Sequence, residues 1–351
     1  MFKINYKVIQ ALFASLIYAN FSFASELHLY GLGHVSADGI NDGQNSSLYV
    51  ASNSSRLGFN GAYQLDDNLQ VIFQYETGVD LTAQGGNDGN GGAESSGQIF
   101  TKGRPSYVGL KGNLGKILIG HMPALDQWAN DYNLFADQVG DLGNLWEASG
   151  VPGRLDNVIY YQSPNIAGSS IAVTYKPEEG QENSDKLIIK GDFHWSKLKI
   201  GLAYAGINQH TAQASTHQAL ALTLGYEGQG FTLGGGVQRE SDLPGIVLTD
   251  RDSYYLGGSI AVGKKGTIKT QIAISSADDN NDVTQYAIGY DYMMNKNLIL
   301  YVAYAQTEND DNVNFSVNGK GHGDKIVPDF GNDPSVLSVG IIAKFDLMFG
   351  L

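Results

Sequence analysis

Cysteine is absent from this 351-residue sequence, which removes a disulfide framework, a thiolate metal site and a cysteine nucleophile at one stroke. The lack suits a chain that crosses an oxidising periplasm, although many soluble proteins share it. Positive charge is also scarce: 22 Lys and Arg stand against 36 Asp and Glu, for a net charge of −14 and a pI near 4.8. A nucleic-acid footprint needs the opposite sign, so no nucleic-acid partner is expected. Beyond the first two dozen residues no run of 18 apolar residues exists. With 42% apolar residues and a mean hydropathy of −0.18, a bundle of transmembrane helices is excluded. Catalytic signatures are missing as well. There is no H-E-x-x-H, no G-x-S-x-G and no phosphate loop. His28 and His34 lie six strand residues apart, roughly 20 Å, too far to chelate one ion. No catalytic residue, resident metal or cofactor is therefore nominated.

What the sequence has in excess is glycine (45), tyrosine (20) and phenylalanine (14). The N-terminus carries an address. Lys3 and Lys7 form a basic start, Val8–Ala19 is an apolar stretch of signal-peptide length, and Ser22-Phe23-Ala24 puts small residues at −3 and −1. Residues 1–24 read as a signal peptide cleaved after Ala24, which takes the mature chain to −16. An uncleaved anchor helix is the alternative, but the apolar run falls short of the ~20 residues a span requires.

After Ser25 the chain reads as period-two segments of about ten residues. Leu69, Val71, Phe73 and Tyr75 alternate with Gln70, Ile72, Gln74 and Glu76. Ile171/Val173/Tyr175, Leu198/Ile200/Leu202/Tyr204, Leu220/Leu222/Leu224/Tyr226, Phe231/Leu233/Gly235/Val237 and Leu298/Leu300/Val302/Tyr304 repeat the pattern. Tyr closes many apolar stripes, where a ring with a polar tip suits lipid headgroups. Connections alternate in length. Seven tight turns (at 66–68, 113–115, 163–165, 196–197, 228–230, 263–266 and 295–297) separate eight longer polar loops (38–47, 81–97, 123–153, 177–185, 207–216, 240–250, 277–282 and 308–334). That implies sixteen antiparallel strands with both termini on the short-turn side, an all-β transmembrane barrel over 25–351. A soluble sandwich would explain the alternation. It would not explain a face that is Leu, Ile, Val and Tyr throughout opposite one that is Ala, Ser, Thr, Gln and Gly.

Several stretches resemble the Gram-negative general-diffusion porins, a family of trimeric outer-membrane channels. Ser55-Arg56-Leu57-Gly58-Phe59 with Leu69–Glu76 resembles the family's second and third strands. Arg104–Leu110 and Gly115–Gly120 resemble the fourth and fifth, and Arg154–Pro164 the sixth with its turn. Val339–Phe345 resembles the terminal strand read during barrel insertion, with Gly340 and Phe345 as the assembly signal. The similarity is dense over 27–175 and only architectural over 176–334. Two departures stand out. The family stops at its terminal aromatic, whereas Asp346–Leu351 follow Phe345 here, so the last strand runs on or the tail projects. Pro105 falls inside an expected strand, where a bulge or bend is anticipated.

The resemblance implies a passive channel for ions and small hydrophilic solutes, with Arg56, Arg104 and Arg154 on one wall of the waist. Strand parity, taking Leu57, Phe59 and Tyr107 as lipid-facing, also points Arg56 and Arg104 into the lumen. The opposite wall is expected from loop 123–153, folded inward and carrying Asp126, Asp131, Asp137, Asp141 and Glu147, with Trp128 and Trp146 packing it. A loop that long is uncommon unless functional. Leu32 occupies a position often basic in the family, so fewer positive charges are expected. Acidic rim clusters (Glu178, Glu179 and Glu182; Asp278, Asp279 and Asp282; Glu308, Asp310 and Asp311) should concentrate cations, giving a weak cation preference. They could also bind Ca²⁺ or Mg²⁺ loosely and link lipopolysaccharide phosphates. Expected partners are two further copies in a homotrimer, outer-membrane lipid and the barrel-assembly machinery. The rival readings are a substrate-specific channel for a sugar or organic acid, and a barrel-embedded enzyme or adhesin.

Overall fold

Alternating apolar and polar side chains bury one face of each strand, but a single sheet this wide exposes two edges unless it closes on itself. In the computed structural model it closes. The structure describes residues 25–82, 103–123, 132–145, 153–208, 216–242, 250–277, 281–319, 321–323 and 326–350. The strands are β1 (Ser25–Asn41), β2 (Ser46–Ser52), β3 (Arg56–Asp66), β4 (Leu69–Gly78), β5 (Ser106–Gly112), β6 (Gly115–Pro123), β7 (Arg154–Gln162), β8 (Ser169–Lys176) and β9 (Lys186–Trp195). They continue as β10 (Leu198–Asn208), β11 (Thr216–Glu227), β12 (Phe231–Ser241), β13 (Arg251–Val262), β14 (Gly266–Ala277), β15 (Val283–Asn295), β16 (Leu298–Asn309) and β17 (Ser335–Gly350). Apart from β2 and β3, which do not pair with each other, each pairs antiparallel with its sequence neighbours, and β1 meets β17 from Glu26↔Gly350 to Asn41↔Ser335.

β2 and β3 are two halves of one stave. Both pair with β1, β2 along Val35–Asn41 and β3 along Ser25–Leu32. Between them Asn53-Ser54-Ser55 breaks the ladder, with Ser54 at φ 50°, the Asn53 amide donating to the His34 carbonyl, and the His34 amide donating to Ser55 Oγ. The closed barrel thus has sixteen staves, and the short and long connections fall at the ends the sequence assigned them. Loop 38–47 shrinks to 42–45, because β1 and β2 extend into it. The tail does not project: Asp346–Gly350 continues β17 and pairs with Tyr30–Glu26. Pro105 lies just ahead of β5, where its carbonyl accepts the Glu76 amide, so the missing amide donor costs no ladder bond and no bulge in β5 is needed.

The outer face is a continuous apolar surface, with Leu220, Leu256, Ile260, Ile288 and Val339 exposed, while Gln238, Gln271, Ser275, Gln285, Thr307 and Ser338 are buried on the inner face. No described helix is long and apolar enough to cross a membrane; this chain crosses with strands. At the short-turn end, Lys197 and Lys265 sit over the rings of Tyr226 and Tyr292 at 6.0 and 5.9 Å, a cation–aromatic pairing suited to the headgroup layer. The expected signal peptide lies outside the described residues.

Candidate functional site

Inside the barrel, segment 132–145 of the loop between β6 and β7 lies against the far wall, and the wall is made smooth to receive it. Phe135, Val139, Leu142 and Leu145 are fully buried. They pack on small inward residues, among them Ala203, Ala221, Ala273, Ala287 and Ala305. Tyr132 lies on Gly225 and Gly234, where a Cβ would come within 1.6 and 2.2 Å of its side chain. Polar groups then fix the loop's height. The Leu134 amide donates to Gln271 Oε1 at 3.1 Å, Gln271 Nε2 donates to the Gly140 carbonyl at 2.5 Å, and Lys269 Nζ donates to the Leu134 carbonyl and Gln138 Oε1 at 2.9 and 2.8 Å. Lys269 also pairs with Asp291 at 2.9 Å. From the other side the β16–β17 loop covers the segment: Gly140 N donates to the Val317 carbonyl at 2.7 Å, and Val139 bridges to Asn318.

Asp137 sits at the tip of this segment with φ 62°. Its Oδ2 lies 3.6 Å from Arg56 Nη1, so loop and wall meet at one ion pair. Arg56 Nη1 also donates to the Ser54 carbonyl at 3.1 Å, which ties its aim to the break between β2 and β3. Glu76 joins the two wall arginines. One oxygen lies 3.9 Å from Arg56 Nε and the other 3.6 Å from Arg104 Nη1. A hydrogen-bond chain holds Glu76 in place: Tyr107 OH donates to Gln74 Oε1 (3.0 Å), Gln74 Nε2 to Tyr30 OH (3.1 Å), and Tyr30 OH to Glu76 Oε2 (2.9 Å). Arg104 is 7% exposed. Burial first, then repulsion from Arg154 and Arg56, pulls its guanidinium down to about 10, a level at which it is still charged at neutral pH.

The five expected loop carboxylates separate. Asp126, Asp131 and Glu147, with Trp128 and Trp146, lie outside the described residues. Asp137 faces the arginines. Asp141 does not: it is buried and turned onto its own loop, accepting from Asn133 Nδ2, the Asp137 amide and the Gly143 amide at 2.7, 2.7 and 2.8 Å. Burial and the nearby Asp137 push its carboxyl up to about 6. Arg154 opens β7 and is exposed. Two parity assumptions need correction. Tyr107 faces the lumen, not lipid, since it bonds to Gln74, and Val108 beside it is the exposed residue. Arg104 precedes β5, so strand alternation does not govern it. Glu76 was missed as a site residue although it shares its face with Gln70 and Gln74, a signal present in the sequence. Lys269, Gln271 and Tyr132 gave no such signal, because their partners are remote in the chain.

Toward the short turns the lumen widens into a cavity of about 1140 Å³ lined by Asn60, Gln64, Gln70, Gln74, Lys111 and Lys116, among others. At the terminal strand, the Tyr301 ring lies over Gly340 and the Phe345 ring over Gly31. No group of three or more acidic or histidine side chains that could hold a metal occurs among the described residues.

Comparison with known proteins agrees with this architecture. The Gram-negative porin family model matches residues 11–312. Outer membrane porin protein 32 of Delftia acidovorans is 27% identical over 324 residues, covering 85% of this chain and 88% of that protein. A major outer membrane protein P.IB of Neisseria gonorrhoeae is 25% identical over 284 residues, covering 70% and 76%. Among solved structures, an anion-selective porin from Comamonas acidovorans superposes with a TM-score of 0.77 at 23% identity, covering 92% of this chain and all of that one. The trimer form of OmpT from Vibrio cholerae gives 0.68 at 13% identity, covering 92% and 99%. With a closed sixteen-stave barrel, an inward loop and these relatives, the chain belongs to the Gram-negative porin family and is an outer-membrane channel.

Proposed function

We propose that the waist of this channel is the meeting of segment 132–145 with the β3–β7 wall, and that Arg56, Arg104 and Arg154 set its field. The observation that carries this is the charge balance at the contact. Arg56 and Arg104 stand there against Glu76 and Asp137, Arg154 lies close enough to repel Arg104, and Asp141 is withdrawn into its loop, which leaves an excess of positive charge among the described residues. Low-dielectric walls focus that excess. The reading is therefore a weak anion preference at the waist, in place of the cation preference expected from overall acidity. Rim carboxylates act farther out and are screened over about 8–10 Å at physiological salt. The anion-selective porin from Comamonas acidovorans, to which this chain is similar in fold, supports the same sign.

Solutes pass down their gradients through the polar vestibule and past this waist without a covalent step. The amides of Asn60, Gln64, Gln70 and Gln74 line the vestibule and would bond the hydroxyls of sugars, which favours a sugar over an organic acid if transport is selective. Liposome swelling with a graded series of sugars separates the two cases. General diffusion predicts rates that fall smoothly with solute size and rise linearly with concentration; saturation by one sugar would instead mark a substrate-specific channel. A homotrimer is part of the proposal, supported by the trimeric OmpT neighbour, as are signal-peptide cleavage after Ala24 and an assembly role for Gly340 and Phe345. Unheated gel electrophoresis reads the trimer directly.

A further inference from the structure

The membrane side of the wall has a notch over β11, β12 and β13. Along β12 the outward positions are Leu233, Gly235 and Val237, and Gly235 contributes no side chain to the surface. Two other outward glycines are covered by aromatic rings, Gly31 by Phe345 and Gly61 by Phe73. The nearest atoms to a Cβ at Gly235 are the Tyr255 carbonyl oxygen (2.6 Å) and Leu256 Cδ1 (3.4 Å), with no ring over it. The gap is an open groove of about 390 Å³, bordered by Leu198, Leu222, Leu224, Leu233, Val237 and Leu256. Val237 lies four strand steps beyond Leu233, so the groove runs roughly 13 Å along the barrel wall.

We propose that this groove binds one acyl chain of a glycerophospholipid from the periplasmic leaflet, with the lipid phosphate held by Lys197. Two features select this occupant. The groove is almost wholly apolar, in a surface that lies in the membrane. Its short-turn end is Tyr226, over whose ring the Lys197 ammonium sits, and short turns face the periplasm in barrels of this kind. Trp195, 81% exposed beside that turn, adds an aromatic anchor at headgroup depth. A lipid-bathed surface gives no hydrophobic driving force of its own, so selectivity must come from close packing and the single charge.

Native mass spectrometry of the purified full-length protein in detergent, titrated with palmitoyl-oleoyl phosphatidylglycerol, tests this. The expected result is one tightly retained lipid per chain, lost from Gly235→Leu and from Leu224→Trp, each of which fills the groove. Leu224→Trp adds its ring on the exposed outer face and keeps the test valid where the backbone contact at Gly235 prevents folding. Conductance should be unchanged in both. Lys197→Gln should weaken retention about fivefold and abolish preference over the matching uncharged diacylglycerol. Equal retention by wild type and both filled variants would overturn the proposal. So would a preference for lipopolysaccharide, or loss of the oligomer on Leu224→Trp with no lipid adduct in wild type, which would make the groove a contact between copies of this chain.

Discussion

Glu76 is the residue on which the charge of the waist turns. Its two oxygens face Arg56 and Arg104, so it neutralises part of the field both create. Glu76→Gln should release that field and move the reversal potential further toward anion selectivity, whereas Asp137→Asn should do so less, because among the described residues Asp137 forms an ion pair with Arg56 while Glu76 pairs with both arginines. Equal shifts from the two variants would place the arginines differently. Asp141 has a pH signature opposite to that of most native carboxylates. Its folded-state pKa, near 6, lies above the ordinary value of 3.8, so the loop is most stable below the lower value and loses stability as pH rises through about 6. Hydrogen exchange corrected for intrinsic rate should show segment 132–145 better protected near pH 4 than at pH 7. The arginines were visible in the sequence through the motifs around them. The inward turn of Asp141 was not, because it depends on Asn133 and the local backbone and not on charge.

At the scale of elements, the constriction loop is held by shape before charge. Gly140 has φ 85°, and a Cβ there would lie 2.5 Å from Ala287 Cβ. Gly140→Ala should therefore cost the seated loop about 1–3 kcal/mol, read as added current noise in single-channel recordings while the barrel stays heat-resistant. Gly234→Ala should displace Tyr132 from the opposite direction and raise open-channel conductance; unchanged conductance would mean the Tyr132 contact does not hold the loop. The sequence shows why loop 123–153 should enter the lumen: it is long, and the facing strands alternate Leu with Ala or Gly. Which alanine and glycine receives which loop side chain is set by contacts more than 60 residues apart, such as Phe135 with Ala287, and no local pattern encodes that. The break at Asn53–Ser55 was hidden for a similar reason, since a flanking Ser55-Arg56 motif says nothing about a ladder interrupted beside it.

At the scale of the whole molecule, sixteen staves follow from period-two patterning and from the alternation of short and long connections, both of which are properties of the chain alone. Closure required the structure. The seam between β1 and β17 runs through the six-residue extension, since Asp346–Gly350 pairs with Glu26–Tyr30. Deleting Asp346–Leu351 removes five of the sixteen residue pairs of that seam and should lower the temperature at which the folded band disappears in gel electrophoresis; an unchanged temperature would show that those pairs add nothing. The acidic rim and the basic waist pull selectivity in opposite directions, and the proposed anion preference rests on charge at a narrow waist counting for more than charge at a solvated rim. The most direct test is the reversal potential of single channels in a planar bilayer under an asymmetric KCl gradient, for wild type and the Arg56→Gln/Arg104→Gln double variant. An anion-selective sign in wild type that moves toward cations in the variant is expected. Failure to conduct, or a reversal potential that the double substitution leaves unmoved, would contradict the account.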